Sequence, residues 1–323
     1  MGLKVAVVGC GALGGFYGAR LAQRGLQVHF LLRSDYETVC RQGLAISSVD
    51  GDFRVRPQCA RQPEEIGRCD LVLIGLKTTA NYQFPRLLPP LVDERTLVMT
   101  LQNGLGNEEQ LAALFGPDNI LGGLCFVCLN RVRPGLIRHL AHGRVVMGEF
   151  QRPVLPRTRA VAELFRQSGT PCETTDDLAR AHWEKLVWNV PFNGLGVAAA
   201  AGYEAVVSGR WTAGAPLGAC LPTDALLADP RWRELVIELM REVIGAANQL
   251  GHKIPAACAD ENLERTRNMG AYRASTLVDF ERGQPLELDS LFREPLRQAK
   301  AAGFATPRLA ALIEILQRIS PQG

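Results

Sequence analysis

The sequence predicts an α/β fold, an N-terminal Rossmann-type doubly wound sheet followed by an all-helical C-terminal domain. Three observations support this prediction. Short β-branched runs alternate with helical segments in the first half of the chain, and a glycine-rich loop directly follows the first run. From Asp176 onward the β-rich runs vanish and helical periodicity takes over. We therefore divide the chain into two domains, residues 1–172 and residues 173–323.

The composition is typical of a soluble globular protein, with 323 residues of which 47% are hydrophobic and 21% are charged. The net charge of +3 is too small to favour nucleic acid or a membrane surface as a partner. No apolar run reaches bilayer length, and the first residues lead straight into a strand, so we expect no signal peptide. Nine cysteines without a secretion signal indicate reduced thiols and a cytoplasmic location.

The chain opens with a strand and a glycine-rich loop. Residues 5–8 are apolar and β-branched, as in a buried parallel strand. In the G-x-G-x-x-G spacing that follows, Gly9 permits a tight turn, Gly11 lets the backbone approach a pyrophosphate, and Gly14 lets the next helix pack closely. A helical pattern and a second strand complete the unit. We therefore predict a dinucleotide-binding loop that consists of Gly9, Cys10, Gly11, Ala12, Leu13 and Gly14.

The residue after the second strand, 27–32, selects the cofactor. An acid about 20 residues past the glycines would bond the ribose 2′-hydroxyl of NAD. This chain has Arg33 there, and a guanidinium suits a 2′-phosphate through paired, charge-assisted hydrogen bonds. We therefore predict NADP(H) rather than NAD. The alternative is a solvated arginine at a strand end, and Asp35 lies close by in the sequence.

The remaining elements of the first domain follow from apolar runs and turn signals. We predict, in chain order, a short helix at 35–43, a hairpin at 44–56, strands at 71–76, 97–101 and 120–128, two short strands within 135–150 around a turn at Gly143, and a helix at 157–168.

Two polar residues directly follow predicted strands. Lys77 comes after the strand at 71–76, and Asn103 comes after the strand at 97–101. Ligands of open α/β sheets collect outside the carboxyl ends of the strands, so we expect both side chains to meet the cofactor or the substrate. The alternative for each is a helix cap or a turn residue, which the Asn103-Gly104 pair taken alone would favour.

Two pairs of potential metal ligands lie in strand-like, apolar surroundings. Cys125 and Cys128 form a C-x-x-C that could be a redox pair or half of a zinc site, but no second pair follows at zinc spacing. We interpret them as buried apolar residues, and we interpret His139 and His142 as structural. We therefore predict no metal site.

The second domain opens with a long helix that carries a polar stripe. Most side chains within residues 179–201 are apolar, but Lys185, Asn189 and Asn193 recur at i, i+4 and i+8. This spacing places the three groups on nearly one face of the helix. Because unpaired burial of such groups is costly, we favour a ligand-binding cleft over a solvated stripe. Pro191 is expected to distort the helix locally.

The rest of the second domain is predicted to be helical apart from one segment. Residues 203–227 are rich in glycine, proline and small side chains and predict a loop over the site or at an interface. Asp229-Pro230 is a strong helix start, and apolar residues follow it at helical spacing. A final amphipathic helix is predicted at 307–319.

The chain resembles one family closely, the ketopantoate reductases (2-dehydropantoate 2-reductases). The resemblance covers nearly the whole chain, and its segments are specific together rather than singly. It rests on GCGALG at 9–14, LK at 76–77, QNGLG at 102–106, HWEKLVWNVPFN at 182–193, ASTLVDFERGQPLELD at 274–289 and GFATP at 303–307.

This resemblance implies an enzyme that reduces a 2-keto acid to a 2-hydroxy acid with NADPH, in a cleft between the two domains. It implies that Lys185 is the catalytic general acid and that Glu287 is an active-site acid near cofactor and substrate. The implied substrate contacts are Asn103, Asn189, Asn193 and Ser275. The implied cofactor contacts beyond the glycine loop are Arg33 at the 2′-phosphate, Lys77, Asn103 at the nicotinamide end, and Glu287.

The expected reaction agrees with the chemistry of these residues. When hydride attacks a ketone carbon, negative charge builds on the oxygen, and a cation within hydrogen-bond reach stabilises that charge and can donate the proton. Burial disfavours the charged form of lysine, so an apolar cleft would make Lys185 a better acid near neutral pH.

Two departures from the family pattern lie on the substrate side. Tyr272 stands where many members have asparagine, and another expected asparagine falls near Tyr203 in the unusual 203–227 segment. The substrate is therefore either 2-dehydropantoate or a different, bulkier 2-keto acid. A β-hydroxyacid or opine dehydrogenase would share the two-domain plan, and a non-catalytic NADP-binding or sensing protein would share the glycine loop. The family includes monomers and dimers, so a homodimer is compatible with the sequence.

Overall fold

The computed structural model describes residues 2–320, and the chain divides into two compact units, Met1–Leu178 and Ala179–Gly323. The division falls a few residues after the predicted boundary at 172, because the sheet of the first unit extends past that position. Leu178 also packs closely on this sheet. A Cβ added at Gly122 would lie only 2.7 Å from a side-chain carbon of Leu178.

The first unit is built on one mixed sheet. Its described strands are β1 (Lys4–Val8), β2 (Gln27–Leu31), β3 (Leu44–Ser48), β4 (Phe53–Val55), β5 (Gln58–Ala60), β6 (Leu71–Ile74), β7 (Leu97–Thr100), β8 (Ile120–Arg133), β9 (Leu136–Glu149) and β10 (Cys172–Thr174). The order is β4-β3-β9-β8-β7-β6-β1-β2-β5, and β10 also pairs with β9. All neighbours from β5 to β8 are parallel, which confirms the predicted parallel core.

Helices cover both faces of this sheet. They are α1 (Ala12–Gln23), α2 (Tyr36–Gln42), α3 (Pro63–Ile66), α4 (Phe84–Leu87), α5 (Asn107–Phe115) and α6 (Pro156–Gln167), with 3₁₀ turns at Thr78–Gln83 and Pro89–Leu91. Because side chains alternate along β1, Val5 and Val7 join the core under α1 and α6, whereas Ala6 and Val8 join the core under α4 and α5. The doubly wound prediction is therefore confirmed.

The strand β9 differs from its prediction. Two short strands around a turn at Gly143 were expected, but β9 is one strand of 14 residues. His142 and Gly143 have φ values of 64° and 128°, and the register against β8 shifts nearby, so the irregular backbone is absorbed as a bulge. Upstream of the bulge β9 pairs with β3, and downstream it pairs with β10. The strand β10 was not predicted from the sequence.

The interpretations of Cys125, Cys128 and His139 agree with the structure, whereas the side chain of His142 is exposed. Cys125 and Cys128 are buried, as expected for apolar packing. The ring of His139 is also buried, with Nδ1 2.8 Å from Ser48 Oγ and Nε2 3.0 Å from the carbonyl oxygen of His142. Both ring nitrogens therefore have hydrogen-bond partners within the sheet.

The described residues of the second unit form helices and the loops between them, as predicted. The helices are α7 (Leu178–Ala198), α8 (Tyr203–Ser208), α9 (Thr223–Ala228), α10 (Pro230–Gln249), α11 (Ala257–Arg267), α12 (Ser275–Glu281), α13 (Glu294–Ala301) and α14 (Pro307–Ile319), with a 3₁₀ turn at Ala199–Ala201 and a π turn at Asp289–Arg293. The helix α10 begins as predicted, because the carboxylate of Asp229 accepts a hydrogen bond of 2.8 Å from the backbone N–H of Arg231. The helix α7 continues through Pro191.

The prediction of a loop at 203–227 is partly wrong. Helices α8 and α9 occupy the two ends of this segment, and only the stretch between them is irregular. Backbone hydrogen bonds connect that stretch to α7 and to the 3₁₀ turn that follows it. Leu221 N–H donates to the Gly196 carbonyl (2.9 Å), and Gly218 N–H donates to the Ala200 carbonyl (2.7 Å). Each of these helices has only six residues, too few to establish a helical period, so the pattern did not reveal them.

No helix among residues 2–320 is both long enough and apolar enough to cross a membrane.

Candidate active site

The glycine loop joins β1 to α1 through close backbone contacts. Gly9 has a φ of 92°, and a Cβ there would lie 2.3 Å from the backbone nitrogen of Leu76. A Cβ on Gly14 would lie 2.3 Å from the carbonyl oxygen of Gly9. Gly75 completes the junction, since its Cβ would lie 2.7 Å from the backbone of Gly14. Our sequence reasoning missed Gly75, although its position directly after the apolar run of β6 was a signal.

Gly11 differs from its neighbours, because a Cβ added there would meet no atom of the protein within 4 Å. Gly11 is the N-cap of α1, and the first turn of this helix contains no acidic residue. Helix N-termini attract anions through their unpaired N–H groups and dipole. The open space at Gly11 therefore fits a pyrophosphate, whereas Gly9 and Gly14 are required by the fold itself.

The other members of the loop present backbone rather than reactive side chains. The thiol of Cys10 lies 3.3 Å from the Val7 carbonyl oxygen and 3.5 Å from that of Leu31, so it points toward the sheet. Burial raises the pKa of this thiol well above its ordinary value, which disfavours the thiolate. Ala12 and Leu13, both half-buried, form the first turn of α1.

The predicted cofactor residues of the first unit lie at one edge of the sheet. β1 lies between β2 and β6, and β7 lies beside β6, all in parallel orientation. The carboxyl ends of these strands lead to the glycine loop, Arg33, Lys77 and Asn103, respectively. Lys77 is exposed, and Asn103 is half-buried. This edge contains the switch point of the strand order, where doubly wound folds bind their ligands.

Arg33 and Asp35 have different surroundings. Arg33 is exposed, whereas Asp35 is buried and forms a bidentate ion pair with Arg131, whose Nε lies 3.0 Å from Asp35 Oδ2. Burial alone would raise the pKa of Asp35, but the hydrogen bond and charge of Arg131 outweigh it and lower that pKa below its ordinary value. Asp35 is therefore committed to Arg131, and Arg33 is the charged group presented at the end of β2.

The polar stripe of α7 is set into an apolar helix. Lys185 is half-buried, while Asn189 and Asn193 are buried, with 6% and 3% of their surfaces exposed. The adjacent positions Val190 and Phe192 belong to the core. A fully solvated stripe is therefore wrong for this helix.

Ser275 and Asn193 lie together. The Ser275 hydroxyl donates to Asn193 Oδ1 at 3.3 Å, and the backbone N–H of Thr276 donates to the same oxygen at 3.2 Å. Both donors lie in the first turn of α12. The amide of Asn193 therefore fixes the start of α12 beside the polar stripe.

Glu287 lies in a different segment of the same unit, just before the π turn at Asp289–Arg293. It is buried, with 7% of its surface exposed. The π turn packs closely on α7, since a Cβ on Gly194 would lie 2.9 Å from the ring of Phe292. The segment that carries Glu287 is thus held against the helix position that directly follows Asn193.

Aromatic side chains border the polar stripe. Trp188 is half-buried, and its ring centroid lies 5.1 Å from that of Phe192 and 6.1 Å from that of Tyr272. Its indole N–H donates to Thr266 Oγ1 at 2.9 Å, which fixes the ring orientation. Sequence reasoning did not select Trp188, although its i, i+4 spacing with Phe192 beside the stripe was a signal.

The second unit therefore gathers a cation, two amides and a hydroxyl beside an aromatic surface. Amide and hydroxyl groups can orient a small carboxylate or carbonyl compound, and an ammonium group can stabilise developing negative charge and supply a proton. The first unit presents a helix N-terminus and an exposed guanidinium, groups that bind phosphates.

Two family models match the chain. The model of ketopantoate reductase PanE/ApbA matches residues 5–152, and the model of its C-terminal part matches residues 211–320. The helix that carries Lys185 lies between the two matched ranges.

Several relatives match this chain over almost its whole length. The 2-dehydropantoate 2-reductase of Nostoc sp. is 39% identical, with 97% of this chain and 94% of the relative covered. The uncharacterized oxidoreductase YkpB of Bacillus subtilis is 30% identical, with 98% of each chain covered. A crystal structure of 2-dehydropantoate 2-reductase from Geobacter metallireducens GS-15 has a TM-score of 0.88 and 46% identity, covering 98% of this chain and 99% of that chain.

The different roles of the loop glycines can be separated by alanine substitution. We expect Gly11→Ala to fold with a free energy of unfolding within about 1 kcal/mol of wild type, because its Cβ enters open space. Binding of a nicotinamide dinucleotide should weaken roughly 10- to 100-fold, because the added methyl group would displace the pyrophosphate from the N–H groups that bind it. Titration of NADPH fluorescence, with thermal unfolding in parallel, measures both quantities.

Two further variants serve as controls for this experiment. Gly14→Ala should destabilise the fold by about 1–3 kcal/mol or more, because its Cβ collides with the Gly9 carbonyl. Gly218→Ala, at a position with ordinary space, should leave NADPH binding unchanged. Wild-type affinity in Gly11→Ala would show that no pyrophosphate lies against this loop.

Proposed function

Because the chain belongs to the ketopantoate reductase family, whose members are oxidoreductases, we propose that it reduces 2-dehydropantoate to pantoate with NADPH. The observation that carries this proposal is the polar stripe of Lys185, Asn189 and Asn193 on the apolar helix α7, with Ser275 bonded to Asn193. A buried line of polar groups that ends on a second helix supports recognition of a small polar molecule rather than a packing role.

NADP(H) is the proposed cofactor. The open space at Gly11 and the N-terminus of α1 would hold the pyrophosphate, and Arg33 would pair with the 2′-phosphate. The ion pair between Asp35 and Arg131 supports this choice. Asp35 is the acidic residue nearest the end of β2, and its bonds to Arg131 make its carboxylate unavailable to a ribose 2′-hydroxyl. Lys77 and Asn103 are proposed to contact the cofactor from the next two strand ends. When bound, the cofactor supplies the hydride.

The residues of the second unit have complementary roles in this proposal. Asn189, Asn193 and Ser275 bind and orient the keto acid through its carboxylate and hydroxyl groups. Asn103, from the first unit, is proposed to contribute a further contact. Lys185 stabilises the negative charge that builds on the keto oxygen and donates the proton that completes the alcohol. Glu287 is an acid close to both cofactor and substrate.

A second candidate is the reduction of a 2-keto acid with a larger apolar side chain. It is favoured by the half-buried rings of Trp188 and Tyr272 beside the polar stripe, which offer an apolar surface. In this case the same amides would hold the carboxylate and keto group, and the ring of Trp188 would contact the side chain of the substrate.

We propose that the reaction takes place in the reducing cytoplasm. The nine cysteines of the sequence all lie within the described residues, and each of them is a free thiol. The proposed partners are small molecules, the cofactor and the keto acid.

Replacing Lys185 tests the proposed proton donor. We expect Lys185→Ala to lower kcat for 2-dehydropantoate roughly 100- to 10,000-fold, the usual range for loss of a general acid, while the Kd for NADPH stays within a few-fold of wild type. Steady-state NADPH oxidation at 340 nm and fluorescence titration give the two values. Lys300→Ala, at an exposed position on α13, is the matched control and should be fully active. Turnover of Lys185→Ala within about threefold of wild type would contradict the assigned role.

A comparison of substrates separates the two candidate functions. We expect kcat/KM for 2-dehydropantoate to exceed that for phenylpyruvate by at least about tenfold, a difference of about 1.4 kcal/mol in transition-state binding. Both keto acids are assayed at saturating NADPH with the same enzyme preparation. The reverse order would support the second candidate, and oxidation with neither keto acid would refute both.

Arg33 is expected to set the cofactor preference. Arg33→Ala should weaken NADPH binding roughly 10- to 100-fold and change NADH binding little, because only NADPH carries the 2′-phosphate. The Kd values for both nucleotides are measured by fluorescence titration. Arg24→Ala, at the exposed end of α1, controls for the loss of positive charge. An equal loss for both nucleotides would exclude a 2′-phosphate contact.

A further inference from the structure

Three buried side-chain amides connect the loops that follow β6 and β7. Gln102, Asn81 and Asn107 are exposed by only 3%, 9% and 0%, respectively. Gln102 Nε2 donates to Asn81 Oδ1 at 2.7 Å, and Asn81 Nδ2 donates to Asn107 Oδ1 at 3.0 Å. We name these three residues the amide relay.

Both ends of the amide relay hold backbone carbonyls. Gln102 Nε2 also donates to the carbonyl oxygen of Leu76 at 2.9 Å, and Asn107 Nδ2 donates to the carbonyl oxygen of Asn103 at 3.2 Å. Leu76 directly precedes Lys77. The relay therefore spans the space between the two strand ends at which we place cofactor contacts.

The direction of these hydrogen bonds is fixed at the Gln102 end. The Thr100 hydroxyl donates to Gln102 Oε1 at 3.0 Å and in turn accepts from the Gln102 backbone N–H at 3.2 Å. With its oxygen held by Thr100, Gln102 directs its NH₂ group toward Asn81 and Leu76. Each later amide then donates to the next acceptor, and such chains of hydrogen bonds strengthen one another.

Burial of three amides is not needed for packing. Apolar side chains of similar size would fill the same space without requiring partners, and a buried amide that loses its partner costs about 1–3 kcal/mol. What the relay provides and apolar packing does not is a fixed separation between the carbonyls of Leu76 and Asn103.

We propose that Gln102, Asn81 and Asn107 are positioning residues of the reductase, which hold Lys77 and Asn103 in the arrangement that hydride transfer requires. The proposal rests on the function proposed above, because it assigns Lys77 and Asn103 to the cofactor. The relay itself is buried and acts through these two residues. Displacement of a reacting group by about 1 Å can lower a rate by 100-fold, so a loss of this support should appear in the rate of hydride transfer.

Asn107→Asp is the sharpest test, because the carboxylate still accepts from Asn81 Nδ2 but no longer donates to the Asn103 carbonyl. Asn81→Leu removes the centre of the relay at similar volume and serves where the first variant folds poorly. We measure a single turnover in a stopped-flow instrument, by mixing enzyme loaded with one equivalent of NADPH with saturating 2-dehydropantoate. The rate reports hydride transfer, and the amplitude reports the fraction of folded enzyme.

The expected result is a rate at least about tenfold below wild type at full amplitude, with the KM for the keto acid within a few-fold. Asn119→Asp is the matched control, because Asn119 Nδ2 also donates to a backbone carbonyl, that of Glu94 (2.7 Å). Asn119 directly precedes β8, so it lies at the amino ends of the parallel strands, away from the proposed cofactor contacts. It should leave the single-turnover rate unchanged.

Two outcomes would overturn the inference. A wild-type rate in both relay variants, with or without reduced amplitude or melting temperature, would assign the relay a purely structural role. If the wild-type enzyme fails to oxidise NADPH with every 2-keto acid tested, the proposed function and this inference are refuted together. An active wild type with unchanged variants refutes the inference alone.

Discussion

The close approach of three backbone segments at the end of β1 is the constraint on which the first unit depends. Gly9, Gly14 and Gly75 meet there at distances that exclude a Cβ on any of them. This junction holds α1 against the sheet at the point where the strand order changes direction, with β2 on one side and β6 on the other. The close backbone packing therefore places the open helix N-terminus at Gly11 beside the carboxyl ends of the neighbouring parallel strands.

Hydrogen-bonded, buried amides recur among or next to the proposed site residues of both units. In the first unit Asn81 and its two partners connect adjacent loops, and in the second Asn193 holds the first turn of α12. A buried amide tolerates few alternative arrangements, since each lost bond leaves a polar group without water. Segments supported in this way can adopt fewer positions than apolar packing alone would allow. Such restriction suits a binding site, because the side chains that contact the ligand must keep their positions.

Sequence patterns predicted the features that local physics determines. The glycine spacing, the Asp229-Pro230 helix start and the polar stripe of α7 each depend on residues within a few turns of one another. The features that were missed depend on pairing across the chain. β10 is defined by its register with Val145 in β9, and the amide relay joins Asn81 to Asn107. A three-residue strand or a lone asparagine has no periodicity of its own, so only the tertiary structure reveals its role.

The change of partner along β9 gives the short strand β10 an importance beyond its length. β10 covers the backbone of β9 at Val145–Met147, where β3 no longer reaches. A chain that ended before residue 172 would leave this stretch with unpaired N–H and carbonyl groups on an open sheet edge, the kind of edge on which other chains add strands and aggregate. The residues just before α7 thus cover part of the edge of β9 as well as connecting the two units in sequence. An isolated first unit is expected to need these residues to stay soluble.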